Sequence, residues 1–324
     1  MISNLSTKIL REFNVRKSRN QKGRFIEVLT QALTDDGHLV RVEETKGLIH
    51  NRNIVVGDIE SAKVICTAHY DTPAELPLPN IIFPKSLLMT VIYQFFLAFF
   101  LIAPIYFLSL LVLVFLEEPT WASVLFYTLT VLLLYLLING PANKSNSNDN
   151  TSGVITLIEL LNKLSPDERS KVACVFFDNE EKGLIGSLKF SKRHNMRLSG
   201  KLIVNFDCVS DGDTLLIIGN RLARKNNKLS QIFTSSFEND FGKEIVFTSA
   251  FFPGDNLCFN KNMTIAIGAM RKSKWFGLYL SKIHTSRDVV FDEKNIETLS
   301  NGMSVFLRHG LLECSGRLSS APEL

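Results

Sequence analysis

The chain has 324 residues, 46% hydrophobic and 21% charged, which excludes a disordered or low-complexity protein and leaves ample material for a buried core. A net charge of +4 gives no electrostatic footprint for nucleic acid, so no nucleic-acid partner is expected. The average hides an asymmetry: residues 86–139 hold no Lys or Arg and only two acids, Glu117 and Glu118, which speaks against a purely soluble globule.

Residues 22–36 carry Phe25, Ile26, Leu29 and Leu33 at helical spacing. Short runs rich in branched residues follow at His38–Glu43, Asn53–Val56 and Lys63–Thr67, which read as strands from a sheet edge to its centre. Beyond the uncharged stretch, Thr151–Leu164 reads as a helix stopped by Ser165-Pro166. Lys171–Phe177 is an apolar strand, Gly183–Arg193 a helix, and Lys201–Phe206 and Leu215–Ile218 two further strands. Leu229–Phe241 reads as a helix, Glu244–Thr248 and Met263–Ile267 as strands, and Asn295–Leu312 as a closing helix. Strands alternating with helices predict an α/β fold, a three-layer sandwich with a mostly parallel, largely buried central sheet flanked by helices.

The uncharged stretch divides in two. Ser86–Leu116 is a run of 31 residues, and after Glu117-Glu118-Pro119 comes a second run, Thr120–Ile138. A membrane-spanning helix needs about 20 such residues. Phe95–Leu116 has no polar face, which favours an inserted α-helical membrane hairpin over a pair of buried core helices. The lipid bilayer is therefore an expected partner through residues 86–138.

The five cysteines, Cys66, Cys174, Cys208, Cys258 and Cys314, are odd in number, scattered and without a CxxC pair, so neither a disulfide framework nor a thiolate zinc knuckle is expected. The first residues lack the basic start and apolar core of a signal peptide, and both features point to a reducing compartment.

Five segments near predicted strand ends supply carboxylates and imidazoles, where open α/β sheets gather their ligands. Thr67-Ala68-His69-Tyr70-Asp71-Thr72 ends a strand, so His69 and Asp71 point to one side and Asp71 can accept the second imidazole N–H. Taken alone, this pattern is weak, and an exposed loop histidine accounts for it more readily. Asn148-Asp149-Asn150-Thr151-Ser152-Gly153 opens a helix, where Asp149 can be a simple cap. Phe177-Asp178-Asn179-Glu180-Glu181-Lys182-Gly183-Leu184-Ile185-Gly186-Ser187 sets two adjacent glutamates after a buried strand. One can bind a metal while the other faces a water, or both can be solvated. Val204-Asn205-Phe206-Asp207 ends another strand, and Lys282-Ile283-His284-Thr285-Ser286-Arg287-Asp288 lies near the C-terminus.

In this order, the five segments resemble the aminopeptidase Y family of di-zinc exopeptidases, metallopeptidase clan MH, in two blocks, 1–80 and 140–312. The resemblance implies that His69 and Asp207 bind one zinc, that Glu181 and His284 bind the other, and that Asp149 bridges them. It implies Glu180 as general base and Asp71 as the residue orienting His69. The zinc peptidase domain would then comprise residues 1–82 and 140–324, with residues 83–139 as the inserted hairpin. Charge agrees with two Zn²⁺ ions as cofactors. Asp149, Glu181, Asp207 and a bridging hydroxide balance four positive charges, and neutral histidines complete N/O coordination suited to zinc. Paired ions about 3.5–4 Å apart can polarise a scissile carbonyl and acidify water, with Glu180 carrying the proton.

The chain departs from the family where Ser-Asp-His-x-x-Phe is often found; Gly254-Asp255-Asn256-Leu257-Cys258-Phe259 stands there instead. The expected activity is an aminopeptidase acting on a peptide substrate. The alternatives are a carboxypeptidase or other amide hydrolase, a silent interaction protein, and a glutaminyl cyclase, whose members resemble this fold with one zinc. His69 precedes the hairpin and the other ligands follow it, so an even number of crossings is required. Lys85 and Lys144 flank the outer ends and the connecting turn has no base, which by the positive-inside tendency puts the catalytic domain of a two-span membrane protein in the cytoplasm.

Overall fold

The computed structural model describes residues 2–47, 49–237 and 244–310. Two helices open the chain, α1 (Asn4–Glu12) and α2 (Arg19–Asp35). Ser3 and Ser18 cap them, the latter in a reciprocal box with Gln21 that satisfies otherwise orphaned N–H groups. Strands β1 (Val40–Thr45), β2 (Asn51–Val56) and β3 (Val64–His69) follow, then the apolar helices α3 (Leu87–Leu116) and α4 (Pro119–Asn139). The second block runs α5 (Gly153–Lys163), α6 (Pro166–Arg169), β4 (Val172–Phe177), α7 (Ile185–Arg193), β5 (Leu202–Phe206) and β6 (Thr214–Gly219). It continues through α8 (Arg221–Lys225), α9 (Asn227–Ser235), β7 (Glu244–Thr248), β8 (Met263–Ser273), β9 (Gly277–Tyr279) and α10 (Glu293–Val305).

The sheet order is β1-β2-β4-β3-β5-β8-β6-β7, with β9 on β8. The centre, β4-β3-β5-β8, is parallel, as is β6-β7; β1-β2, β2-β4, β6-β8 and β8-β9 are antiparallel. The sheet is therefore mixed, with its parallel core where the functional segments lie. Strand periodicity separates two apolar layers. Ile54, Cys66, Cys174, Phe176 and Val204 face one cluster with Phe25, Leu29, Leu157 and Leu299 from α2, α5 and α10. Val55, Ile65, Val175, Phe177 and Ile203 face the other, with Phe190 from α7. This is the three-layer arrangement expected from the alternation of strands and helices.

Element edges differ from the sequence reading for local reasons. The helix expected from Thr151 becomes regular at Gly153, because Ser147–Ser152 forms a kinked turn in which Asp149 is extended (φ −105°, ψ 101°). The helix expected from Gly183 begins at Ile185, since Asn179, Gly183 and Leu184 have left-handed φ values of 57°, 95° and 59°. Strand β8 runs six residues past Ile267, held by β6 and β9, and β9 itself is too short to leave a periodic signal. Positions 238–241 of the helix begun at Leu229, residues 311–312 of the closing helix, and Cys314 lie outside the described residues.

Helices α3 and α4 are each long and apolar enough to cross a membrane. Only Thr90 and Ser109 in α3 and Ala122 in α4 are buried, so neither is a core helix of this chain. The Lys17 ammonium donates to the Ile138 carbonyl at 2.6 Å, a cation at the C-terminal end of α4 where the helix dipole favours one.

Candidate active site

The ends of β3, β4 and β5 deliver His69, the turn 178–184, and Asp207 to one rim of the sheet. The kinked turn before α5 brings Asp149, and a loop residue in the left-handed region (φ 60°) brings His284. All five residues expected to bind metal, with Glu180, line one pocket of about 210 Å³.

His69 Nε2 lies 3.2 Å from Asp149 Oδ1 and 3.8 Å from Asp207 Oδ1. His284 Nε2 lies 3.1 Å from Asp149 Oδ2 and 3.3 Å from Glu181 Oε2. Asp149 thus offers one oxygen to each imidazole. Donor atoms gather within 4.8 Å in the sets His69–Asp149–Asp207, Asp149–Glu181–His284 and His69–Glu180–Glu181. Imidazole and carboxylate donors in this proportion suit zinc, and Glu181 Oε1 is buried without a hydrogen-bond partner, so the residues present fit a divalent cation.

The supporting residues show what holds the donors. His69 Nδ1 is 3.1 Å from the Asp71 backbone carbonyl and 3.7 Å from its carboxylate. With Nδ1–H donating to that carbonyl, Nε2 is left as the free donor atom. The Asp71 carboxylate, read from the sequence as the partner of the His69 ring, instead accepts the backbone N–H groups of Glu180 (2.9 Å) and Glu181 (3.3 Å). Asp288, quoted in the His284 segment but given no role there, accepts the N–H groups of Asn148 (3.0 Å) and Asp149 (2.9 Å).

The sequence reading also missed Lys22. Its ammonium is buried 2.5 Å from Asp178 Oδ1 and 2.9 Å from Asn179 Oδ1, under the Glu180–Glu181 turn. The signal was a charge on the apolar stripe of α2, one turn before Phe25. Gly186 explains itself sterically: a Cβ there would stand 2.3 Å from the Asp178 carbonyl and 2.8 Å from Asn53 Oδ1. A Cβ at Gly254 would stand 2.8 Å from Asp207 Oδ2, so the departure at this position keeps the backbone close to a donor.

Burial, with Glu181, Asp255 and Asp207 nearby, pushes the Glu180 carboxyl well above the usual range against the pull of His69. Burial and then Asp149 do the same to Glu181. Burial would raise Asp149 too, but its bonds to His284 and His69 hold it below the usual range. Burial pushes Asp255 up to about 7, and burial followed by the charge of Asp149 pushes Asp288 up to about 8. Four of the carboxyl groups, Asp149, Glu180, Glu181 and Asp207, line the pocket itself.

Among known families, the model of Peptidase family M28 matches residues 140–306, the block that holds Asp149, Glu180, Glu181, Asp207 and His284. The chain belongs to Peptidase family M28. His69 and Asp71 of this M28 protein lie before the matched block and join it through β3. No curated protein matches the chain. Among solved structures, the glutaminyl cyclase of Porphyromonas gingivalis is similar over 95% of this chain and 99% of its own, at 15% identity and a TM-score of 0.60. A Zn-dependent exopeptidase from Parabacteroides distasonis covers 94% of each chain, at 15% identity and a TM-score of 0.56. The LapA aminopeptidase of Legionella pneumophila covers 94% of this chain and 69% of its own, at 12% identity and a TM-score of 0.54. At these identities, the likeness establishes that the M28 protein shares their fold.

Proposed function

We propose that this chain is a membrane-tethered zinc aminopeptidase of the aminopeptidase Y type in clan MH, with its catalytic domain in the cytoplasm. The observation that carries the reading is the sharing of Asp149 between the sets His69–Asp149–Asp207 and Asp149–Glu181–His284, which Glu180 adjoins but does not join. His69 and Asp207 would hold one Zn²⁺, Glu181 and His284 a second, and Asp149 both. Bound there, such ions polarise a peptide carbonyl and lower the pKa of water. Glu180 takes the proton of the attacking water and passes it to the departing amine. Asp71 fixes Glu180 through its backbone N–H, and the Asp71 carbonyl fixes the His69 ring.

The pocket favours a free N-terminus. Its lining, among the described residues, includes no Lys or Arg to receive a substrate α-carboxylate. Ile82, Phe252, Leu280 and Ile283 supply an apolar wall suited to an apolar N-terminal side chain. The missing cation argues against a carboxypeptidase. A glutaminyl cyclase remains the second reading because that fold covers nearly the whole chain, and the presence of two donor sets sharing Asp149, where a one-zinc enzyme needs a single set, argues against it.

Chain order supports the two-span tether. His69 precedes α3 and the other donors follow α4, so two antiparallel spans keep them on one side. One assay separates the activities: the purified chain, analysed for zinc, is given Leu-initiated peptides with free or acetylated amines and a peptide beginning with Gln. Two zincs per chain and release of leucine from the free peptide alone are expected. Cleavage of the acetylated peptide from its far end, or loss of ammonia from the Gln peptide without hydrolysis, would replace the reading.

A further inference from the structure

Helix α3, at 30 residues, is nine longer than α4, at 21. At 1.5 Å per residue, α4 spans about 31 Å, near the thickness of a bilayer's hydrocarbon core, whereas α3 spans about 45 Å. The two run back from the turn at Glu117–Glu118, so Asn139 lies level with roughly residue 96 of α3. The first turns of α3 therefore extend past α4 on the side of the catalytic domain, and they are tied to it. Thr90 Oγ1 accepts the Phe83 N–H at 3.0 Å, the Tyr93 hydroxyl donates to the Pro79 carbonyl at 2.5 Å, and Gln94 Nε2 donates to Asn80 Oδ1 at 3.0 Å. Leu88, Ile92, Phe95 and Phe96 on these turns are nevertheless exposed, continuing the apolar surface of the span toward the domain.

The turn between β8 and β9 lies beside them. Its sequence, Lys274-Trp275-Phe276, sets two aromatic rings beside one cation, just past Lys272 of β8, whose ammonium pairs with Glu244 at 3.0 Å. Trp275 is 88% exposed and Phe276 is exposed as well. The Phe276 ring meets Phe83 at 5.9 Å, and Phe83 meets Tyr93 of α3 at 6.4 Å. Between turn and helix is an apolar cleft of about 460 Å³, lined by Ile81, Phe83, Met89, Ile92, Phe96 and Phe276 among others. The antiparallel bridge Ile82↔Leu280 divides it from the metal-binding pocket. Ile82 and Leu280 face that pocket, while Ile81, Phe83 and Tyr279 face the cleft.

We propose that the β8–β9 turn is a second bilayer contact, with Trp275 and Phe276 at the boundary of headgroups and acyl chains, and that the cleft behind them holds one acyl chain of a bilayer phospholipid. The proposal rests on reading α3 and α4 as spans. Three observations carry it: the cleft lies at the level where α4 ends, its wall is continuous with the exposed apolar side of α3, and Phe276 in its lining directly follows Lys274 and the exposed Trp275, an aromatic and lysine pairing that favours an interface. Exposed apolar area of this extent, concentrated at one end of a span, is stabilised by lipid and not by water. Lys274, beside the two rings, faces the negative charge of headgroup phosphates. The strand pair that shapes the substrate pocket then has lipid on its other side, which fixes the active site at the height of peptides lying along the membrane surface.

The chain's two tryptophans, Trp121 and Trp275, make the test direct. Trp121→Phe leaves Trp275 alone to report on the turn, and Trp275→Phe leaves Trp121 to report on the hairpin. Each full-length variant is placed in phosphatidylcholine nanodiscs carrying bromines shallow or deep in the acyl chains. Quenching of Trp275, stronger with shallow bromines, is expected together with quenching of Trp121. A quenched Trp121 beside a Trp275 that emits as in water overturns the proposal and leaves the tether standing; an unquenched Trp121 overturns the tether itself. For the cleft, phosphatidylcholine with a photoreactive acyl tail should label residues 81–96 or 273–279. Labelling confined to 97–138, or cleft labelling displaced by an apolar peptide and not by unlabelled phosphatidylcholine, would reject the lipid as occupant.

Discussion

The Asp71 carboxylate accepts the backbone N–H of Glu180 at 2.9 Å, so the residue two places after His69 sets the position of the proposed general base. The same residue receives the His69 ring on its carbonyl at 3.1 Å. One short segment at the end of β3 thereby ties a metal donor to the Glu180–Glu181 turn.

Asp71 holds both glutamates of that turn through their backbone N–H groups, and their side chains are expected to divide the work. Glu180→Gln should retain full metal content while turnover of a free-amine peptide falls by at least ~100-fold, the scale of losing a general base. Glu181→Gln should lose metal. Elemental analysis of both variants beside steady-state kinetics decides the matter, and equal metal loss in the two would reject the division.

Beneath the turn, the Lys22 ammonium and the Asp178 carboxylate meet at 2.5 Å with side chains only 6% and 2% exposed. Lys22→Met removes one member of a buried pair and should cost about 3–5 kcal/mol in denaturant unfolding. Lys22→Met combined with Asp178→Asn should recover part of that loss, because no uncompensated charge remains. A double variant no more stable than Lys22→Met would show that the pair is not the origin of the effect.

A second ion pair gives a pH signature away from the pocket. His194 Nε2 lies 2.9 and 3.0 Å from the Glu43 carboxylate oxygens, and Arg193 lies 3.3 Å away. Burial raises Glu43, but the bonds to these partners hold it below its ordinary 4.5. A carboxyl lowered on folding stabilises above its unfolded value and loses that contribution as pH falls through its folded one. The melting-temperature gap between the native chain and Glu43→Gln should therefore be full near neutrality and close progressively below about 4.5. A gap that widens on acidification contradicts the assignment.

Topology is open to an impermeant thiol reagent. Glu118→Cys, between α3 and α4, should be labelled from outside intact cells, whereas Lys225→Cys, exposed at the end of α8, should not. The reverse pattern would invert the orientation. Labelling of both from outside would remove the hairpin from the membrane.

The sequence was most readable where local chemistry is periodic or dense. The apolar layers of β4 and β5 and the uncharged runs of α3 and α4 are visible in hydropathy alone, and the carboxylate and imidazole segments stand out at strand ends. What escaped depended on distant pairing. Strand β8 continues beyond Ile267 because β6 and β9 lie beside it, and β9 spans only three residues. The exchange of roles within Asp71, carbonyl to His69 and carboxylate to Glu180, depends on how two loops meet and has no trace in the motif itself. Lys22 was visible only as an irregularity, a charge on a buried helical stripe.

The strand order has a consequence for how the molecule is made. β2 and β3 are consecutive in the chain but separated in the sheet by β4, which begins at Val172. A ribosome that has released β3 must still synthesise both apolar helices before the strand that joins β2 to β3 exists. Synthesis of α3 and α4 thus precedes closure of the central sheet, and His69 waits, unaccompanied by its fellow donors, until that closure. A nascent chain stalled at these helices carries one histidine of the cluster and none of the four donors that follow, so the pocket can form only in copies whose two apolar helices have already been made.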